Sequence, residues 1–307
     1  MSFLNGARQL IQVKNEASKG TAESASMLDL VVYDPMLEPD FQPTARNYGR
    51  THAGTTQGLV EARPATASFS TELIGDGTNA LDDALEACLK ASGLSLSGSV
   101  LSPDTQTDDQ STLTIIKYED GIKKICHGAM AERVTITGES GGRIGVQFDF
   151  RGVWNAPTDE ALPTPSFSSE VPMRMASGTF SLHSYSPDVS RFSITINNTL
   201  ATIPDITHVS GLGYMVVANR EILVECDPHL VTVATHDFYG KFLASTEAAL
   251  SIGLTDDTVD VTLAAPKVQY RQLSQSEREG LIGLDLTGQC NADSGDDEFT
   301  ITTAASA

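Results

Sequence analysis

Few residues in this 307-residue chain could do covalent chemistry, and their neighbours argue against it. Gly138-Glu-Ser-Gly-Gly142 satisfies the G-x-S-x-G pattern of a serine nucleophile. That role needs a sharp strand-to-helix turn that lifts the serine out of a sheet. Both flanks here alternate like strands, so the run reads as a hairpin tip. The histidines, His52, His127, His183, His208, His229 and His236, show no i, i+4 or H-E-x-x-H spacing, and each reads as a surface or turn residue. Cys88, Cys126, Cys226 and Cys290 lie far apart with no C-x-x-C pair, so they read as reduced thiols rather than zinc ligands.

Acids are abundant: Asp82/Asp83, Asp108/Asp109, Asp256/Asp257 and Asp296-Asp-Glu298 stand together. A glycosidase sets two carboxylates across a cleft lined with stacking aromatics. One Trp in the whole chain makes that cleft hard to build, and these acids fall in turns or helix starts. No cofactor is expected, and the reading is not that of an enzyme. The charge of −20, from 40 Asp and Glu against 20 Lys and Arg, excludes a nucleic-acid clamp, because phosphate binding needs concentrated cations. It also disfavours anionic membranes. Residues 200–307 hold 16 of the acids and 5 of the Lys and Arg. Met1–Gly20 has no apolar signal region, and no window approaches a membrane span, so residence in a cytoplasm until assembly is expected.

The elements around these residues are mostly strands. Ala67–Leu73, Leu113–Tyr118, Val146–Phe150 and Phe192–Ile196 alternate at period two. Glu119-Asp-Gly121 is a hairpin turn between two such runs. Two helices are expected. Asn79–Gly93 has Asn79 as cap and Leu81, Leu85, Cys88 and Leu89 on one face; Thr235–Thr246 has Thr235 as cap and Phe238, Phe242 and Leu243 turned inward. Prolines 35, 39 and 43, and again 157, 163, 165 and 172, punctuate the chain. The expected divisions are an N-terminal arm and extended segment at 1–45, a first β domain at 46–156, a proline-rich linker at 157–177 and a second β domain at 178–307.

The halves look alike. Each runs through strand, helix, hairpin and hairpin, with a turn at Glu119–Gly121 in one and at Thr255–Thr258 in the other. Ungapped, 129–152 on 265–288 matches Ala129/Ala265, Ser140/Ser276, Asp149/Asp285 and Gly152/Gly288, and sets Val146, Phe148 and Phe150 against Ile282, Leu284 and Leu286. A tandem duplication follows as the reading. With the apolar residues facing a core, Gln147, Asp149 and Arg151, and Asp285 in the second copy, face the other way.

The words Met27-Leu-Asp-Leu-Val-Val-Tyr-Asp-Pro-Met-Leu-Glu-Pro-Asp40, Ala62–Gly75, Gln147-Phe-Asp-Phe-Arg-Gly-Val-Trp-Asn-Ala-Pro-Thr-Asp159, His236–Ala249 and Ala265–Tyr270 stand in an order that resembles the major tail tube proteins of phages with long, non-contractile tails. The resemblance implies a mainly β fold with short helices: a tandem β-sandwich or barrel, one flanking helix per copy. It implies self-association into stacked rings, trimeric with pseudo-six-fold symmetry where the fold is duplicated, and, with the acid surplus expected on the lumen side, an acidic lumen that conducts double-stranded DNA with only transient, non-specific contact. Implied partners are further copies and other tail proteins (tape measure, tail terminator, distal tail protein), with no membrane, in a virion tail assembled in the host cytoplasm. Asp149, Asp285, Gln147 and Arg151 are then the expected lumen residues. Leu4, Leu10, Ile11 and Val13 belong to an arm expected to reach a neighbouring ring. A β-rich surface-binding or decoration module without tube assembly is the alternative, and an acid-using hydrolase is a more distant one.

Overall fold

Alternation at period two becomes alternation of burial: along Pro64–Glu72 every second side chain, Ala65, Ala67, Phe69 and Thr71, is buried. The computed structural model describes residues 4–46, 48–176, 178–255 and 259–306. The first half contains β1 (Gln9–Asn15), β2 (Leu28–Leu30), β3 (Tyr33–Pro39), β4 (Pro64–Glu72), α1 (Asp83–Lys90), β5 (Leu94–Ser97), β6 (Val100–Pro103), β7 (Leu113–Glu119), β8 (Ile122–Glu139) and β9 (Gly145–Asp159). The second contains β10 (Thr179–Leu182), β11 (Arg191–Pro204), β12 (Leu212–Cys226), α2 (Phe238–Leu243), β13 (Glu247–Thr255), β14 (Val259–Arg278), β15 (Leu281–Asn291) and β16 (Thr300–Ala305). The fold is mainly β, with all 16 strands in one antiparallel network.

The two halves repeat one strand order. In the first, β1, β7, β8, β9, β4 and β3 are successive neighbours; in the second, β10, β13, β14, β15, β12 and β11 are. Each half places its helix between the same two strands of that order, α1 after β4 and α2 after β12. Strand β8 joins the halves. Its first part lies between β7 and β9, and its last part, Arg133–Glu139, pairs with Asn197–Arg191 of β11. One apolar core runs through both halves, from Ile11 and Leu85 to Phe148, Ile194, Leu263 and Phe299.

The repeat corrects the ungapped alignment. Gly152 stands opposite Ala65 of β4, and Gly288 opposite Val224 of β12, so the outgoing strands β9 and β15 align as expected. The last pair of the first hairpin is Thr137 with Gly145, and that of the second is Arg278 with Leu281. Residues 138–144 therefore form one tip and residues 279–280 the other. The shorter tip is a two-residue turn with positive φ at both Glu279 (50°) and Gly280 (83°), which matches strand twist. The difference in tip length slides β14 against β8, so Ala265 and Ser276 are not the partners of Ala129 and Ser140. The expected turn at Thr255–Thr258 lies for the most part outside the described residues.

Both helices start later than expected. Asp82 caps α1, its Oδ1 accepting from Ala84 N (3.0 Å) and Leu85 N (3.3 Å), while Asn79 lies in a turn closed by Asp76 Oδ1, which accepts from Thr78 N and Ala80 N. Asp237 caps α2 by accepting from Gly240 N at 2.7 Å; Thr235 sits in the preceding turn. Phe238 is buried and Phe242 packs against the core, but Leu243 points out. Cys88 is buried on the inner face of α1. The linker prolines begin inside β9, which runs to Asp159 and includes Pro157. Farther on, Met173 is buried, donating its N–H to Leu73 O and accepting from Ile144 N.

Candidate functional site

Directly paired residues on neighbouring strands share a face, so the register decides where the expected polar residues point. Asp149 stands opposite Ser68 and Arg133; Arg133 stands opposite Asn197, and Asn197 opposite Glu221. This row crosses from β4 to β12, from one half into the other. Two residues along β9, Gln147 begins a parallel row through Thr135, Thr195, Leu223 and Gln289. A third row links Thr137, Ser193, Glu225 and Thr287, and Asp285 follows two residues along β15, opposite Ser274. Arg151 is two residues beyond Asp149, opposite Thr66. The structure therefore brings Asp149, Gln147, Arg151 and Asp285 onto one polar face. That face spans β3, β4, β9, β8, β11, β12, β15 and β14.

The face is charged but not uniformly acidic. Its arginines each lie close to a carboxylate or amide, and Lys267, opposite Asn291, meets Asp293 at 2.7 Å. Arg151 meets Asp40 (3.3 Å), Arg143 meets Glu72 (2.7 Å) and Arg271 meets Glu221 (3.3 Å). Arg133 Nε donates to Asn197 Oδ1 at 3.2 Å. Arg278 lies between Asp285 (2.7 Å) and the buried Asp227 (3.1 Å), and Arg191 adds a longer contact to Asp285 at 3.9 Å. Asp227 also accepts from the backbone N–H groups of Ser190 (2.8 Å) and Arg191 (2.9 Å), which ties the start of β11 to β12. At the other edge, Glu72 accepts from the Tyr33 hydroxyl at 2.8 Å, and that hydrogen bond holds the phenol above its ordinary range. Sequence reasoning missed this arginine pairing, because every contact except Arg278–Asp285 joins residues far apart in the chain. Opposite charges at cross-strand neighbours are the signal that would have found it once the register was known.

The N-terminal residues fall differently. Leu10, Ile11 and Val13 are buried in β1, which is held between β2 and β7, while Leu4 is 52% exposed. Ser140 sits in the β8–β9 tip with a strand on each side, and its N–H donates to Ser190 O at 2.8 Å. A nucleophile elbow is therefore not formed there. His127, His183 and His236 are buried, against the expectation of surface histidines. His183 Nε2 lies 2.7 Å from Val268 O, and His236 Nε2 lies 3.2 Å from the Tyr270 hydroxyl. Among the described residues no three His, Cys, Asp or Glu side chains are placed to hold a metal ion, and no helix is long and apolar enough to cross a membrane.

A family model described as phage tail tube protein matches residues 6–297, nearly the whole chain. No curated protein matches it at a significant level.

Proposed function

The chain belongs to the phage tail tube protein family, and from that premise we propose that it is the repeating subunit of the tube of a long, non-contractile tail. Three copies close each ring, the rings stack, and the polar sheet face lines a lumen through which double-stranded DNA passes during genome delivery. The observation that carries this reading is the unbroken register of polar rows from β4 through β12, which makes one wall of two halves. The shared strand order supports a tandem duplication with its boundary in the linker at 157–177, so that three chains supply six units.

The dimensions agree. Each copy brings eight strands to the wall, from β3 to β14. A closed barrel of about 24 strands, spaced about 4.8 Å and tilted about 40°, has a backbone radius of about 24 Å, which leaves room for a B-form duplex inside its side chains. The chemistry agrees as well. Phosphate binds where cations are free to release counterions, and the arginines of this face are tied to carboxylates and an amide. Asp149, Glu139 and Glu225 add unshared negative charge, so the passing duplex meets a wall that does not hold it.

The wall residues are Asp149, Asp285, Gln147 and Arg151. Of the residues considered for contact with an adjacent ring, Leu4 is the exposed one. The partners are copies of the chain, a tape measure, a tail terminator and a distal tail protein, with no cofactor and no catalytic step. The subunit assembles in the host cytoplasm and resides in the virion tail.

Purified protein should form rings or tubes in negative-stain electron microscopy, with three-fold end-on averages carrying six-fold pseudo-symmetry. Monodisperse monomer at every concentration and salt would overturn the reading in favour of a surface-binding module.

A further inference from the structure

The halves share a strand order but not a boundary. In the first, the end of β8 (Arg133–Glu139) is covered by β11, and the β8–β9 tip is covered further by the linker, where Gly141 N donates to Met175 O and Met175 N to Gly142 O. In the second, the corresponding end of β14 pairs with β15 on one side and with no described strand on the other. Side chains register the difference. Val146 at the covered tip is 1% exposed, whereas Ile282, its counterpart on β15, is 49% exposed and the adjacent Leu281 61%. An open strand edge beside exposed aliphatic side chains is a surface built to be covered.

The first half also holds the complement. Strand β3 occupies the place in its half that β11 occupies in the second, and pairs with β4 on one side and with no described strand on the other. We infer that the end of β14 receives β3 of a second copy of this chain, in the register that β8 and β11 adopt within one chain. The inference rests on the ring proposed above and specifies its joint.

The register follows from the repeat. Pro39 opposite Ala65 corresponds to Ile194 opposite Val224, so Asp40 takes the place of Thr195 and Gln42 that of Asn197. Arg278 takes the place of Thr137, so Ser276 and Ser274 take those of Thr135 and Arg133. Thr195 pairs with Thr135 and Asn197 with Arg133. Across the joint, therefore, Asp40 faces Ser276 and Gln42 faces Ser274.

Hydrogen bonding permits this with one donor fewer. Asp40 N donates to Pro64 O at 3.0 Å, so Glu38 and Asp40 turn their main chain toward β4, while Leu37, Pro39 and Phe41 turn theirs outward. Leu37 and Phe41 can donate across the joint; Pro39 cannot. A proline on an exposed edge limits pairing with indiscriminate partners, so selectivity falls to the register and to the aliphatic contact with Leu281 and Ile282. The segment ahead of β1, starting at the exposed Leu4, stands where Met173 and Met175 stand ahead of β10, and it supplies the second cover.

Paired cysteines test the joint. Asp40 and Ser276 would form a non-hydrogen-bonded pair with Cα atoms about 4.5 Å apart, within disulfide reach. Within one chain they sit at opposite ends of the eight-strand wall, roughly 30 Å apart, and cannot bridge. The four native cysteines are buried and do not compete. Mild oxidation of assembled Asp40→Cys/Ser276→Cys protein should give covalent dimers and closed trimers on non-reducing gels. The off-register pair Asp40→Cys/Gln272→Cys should give less than a tenth of that yield. Rings that form without in-register cross-links, or with equal off-register yield, overturn the joint and leave the ring standing. Wild-type protein that forms no ring overturns both. Should the first pair fail to assemble, Gln42→Cys/Ser274→Cys decides by the same yields.

Discussion

The tips of the β8–β9 and β14–β15 hairpins occupy the same place in the strand order and meet opposite surroundings. The first is longer, closed by residues 138–144, and flanked by β11 and the linker, with Gly138 and Ile144 buried; the second is a two-residue turn with both residues exposed. Their sequences follow their surroundings. Ile136 and Gly138 face inward at the covered tip, where Gly138 lies against the Phe192 ring, whereas Glu277 and Glu279 hold the matching places at the bare one. A chain that contains a junction between its own halves displays the geometry of the junction it lacks.

The largest separation between the tips is expected on truncating what each presents. Phe192 is buried over the covered tip, so Phe192→Ala should cost the isolated chain about 3–5 kcal/mol. Ile282→Ala at the bare tip should change the stability of the dispersed chain by less than about 0.5 kcal/mol while impairing assembly. Denaturant titration of dispersed protein measures both. A comparable loss from Ile282→Ala would mean that the second tip is already covered within the chain.

Acid should act on buried histidines of both halves, since burial pushes His127 in the first and His236 in the second down to about 4. His127 of β8 is 1% exposed, and its ring lies 5.2 Å from that of His208, in the loop between β11 and β12. Burial first, and the neighbouring His208 second, push the His127 pKa down to about 4. The folded value lies below the unfolded value of about 6.5, so the unfolded chain takes up the proton first. The stability of the neutral form is complete above pH ~6.5 and is lost as pH falls toward 4, by up to about 3 kcal/mol. His127→Phe should flatten that slope in urea melts taken between pH 7 and pH 4. An unchanged slope would place the acid sensitivity elsewhere.

Much of this architecture was legible in the sequence. Alternation located the strands because one face of each packs on the core, and it placed Asp149 and Asp285 on the opposite face. The doubled order of elements was legible too, but its register was not. An ungapped match follows Gly152 and Gly288 correctly and hides the shorter tip, although Glu279-Gly280 between two strand-like runs is itself a turn signal. The helix caps shifted because Asp82 and Asp237 outcompeted residues farther upstream for the free N–H groups. The arginine pairing of the polar face was invisible, since it depends on which strands become neighbours. The acid excess does not concentrate on this face, since many acids sit in turns away from it, such as Asp205 beside Thr207 and Asp297 beside Ser294.

The smallest expected difference between the halves lies at the pair of glycines that anchors their equivalence. A Cβ on Gly152 would come within 2.5 Å of Cys126 Sγ, 2.8 Å of His127 O and 2.9 Å of the Ala129 Cβ. The carbonyl and the alanine are fixed by the bulged pairing of β8 with β9, so little can yield. A Cβ on Gly288 would meet Val268 Cγ1 at 2.5 Å and Val224 Cγ1 at 3.1 Å, and those are methyl groups on side chains. Gly152→Ala should therefore cost about 2–3 kcal/mol and Gly288→Ala about 1 kcal/mol, read from denaturation midpoints at constant m-value. If Gly288→Ala proves the costlier, the valines are held more tightly than the β8 backbone, and the second half, not the first, is the more rigidly packed.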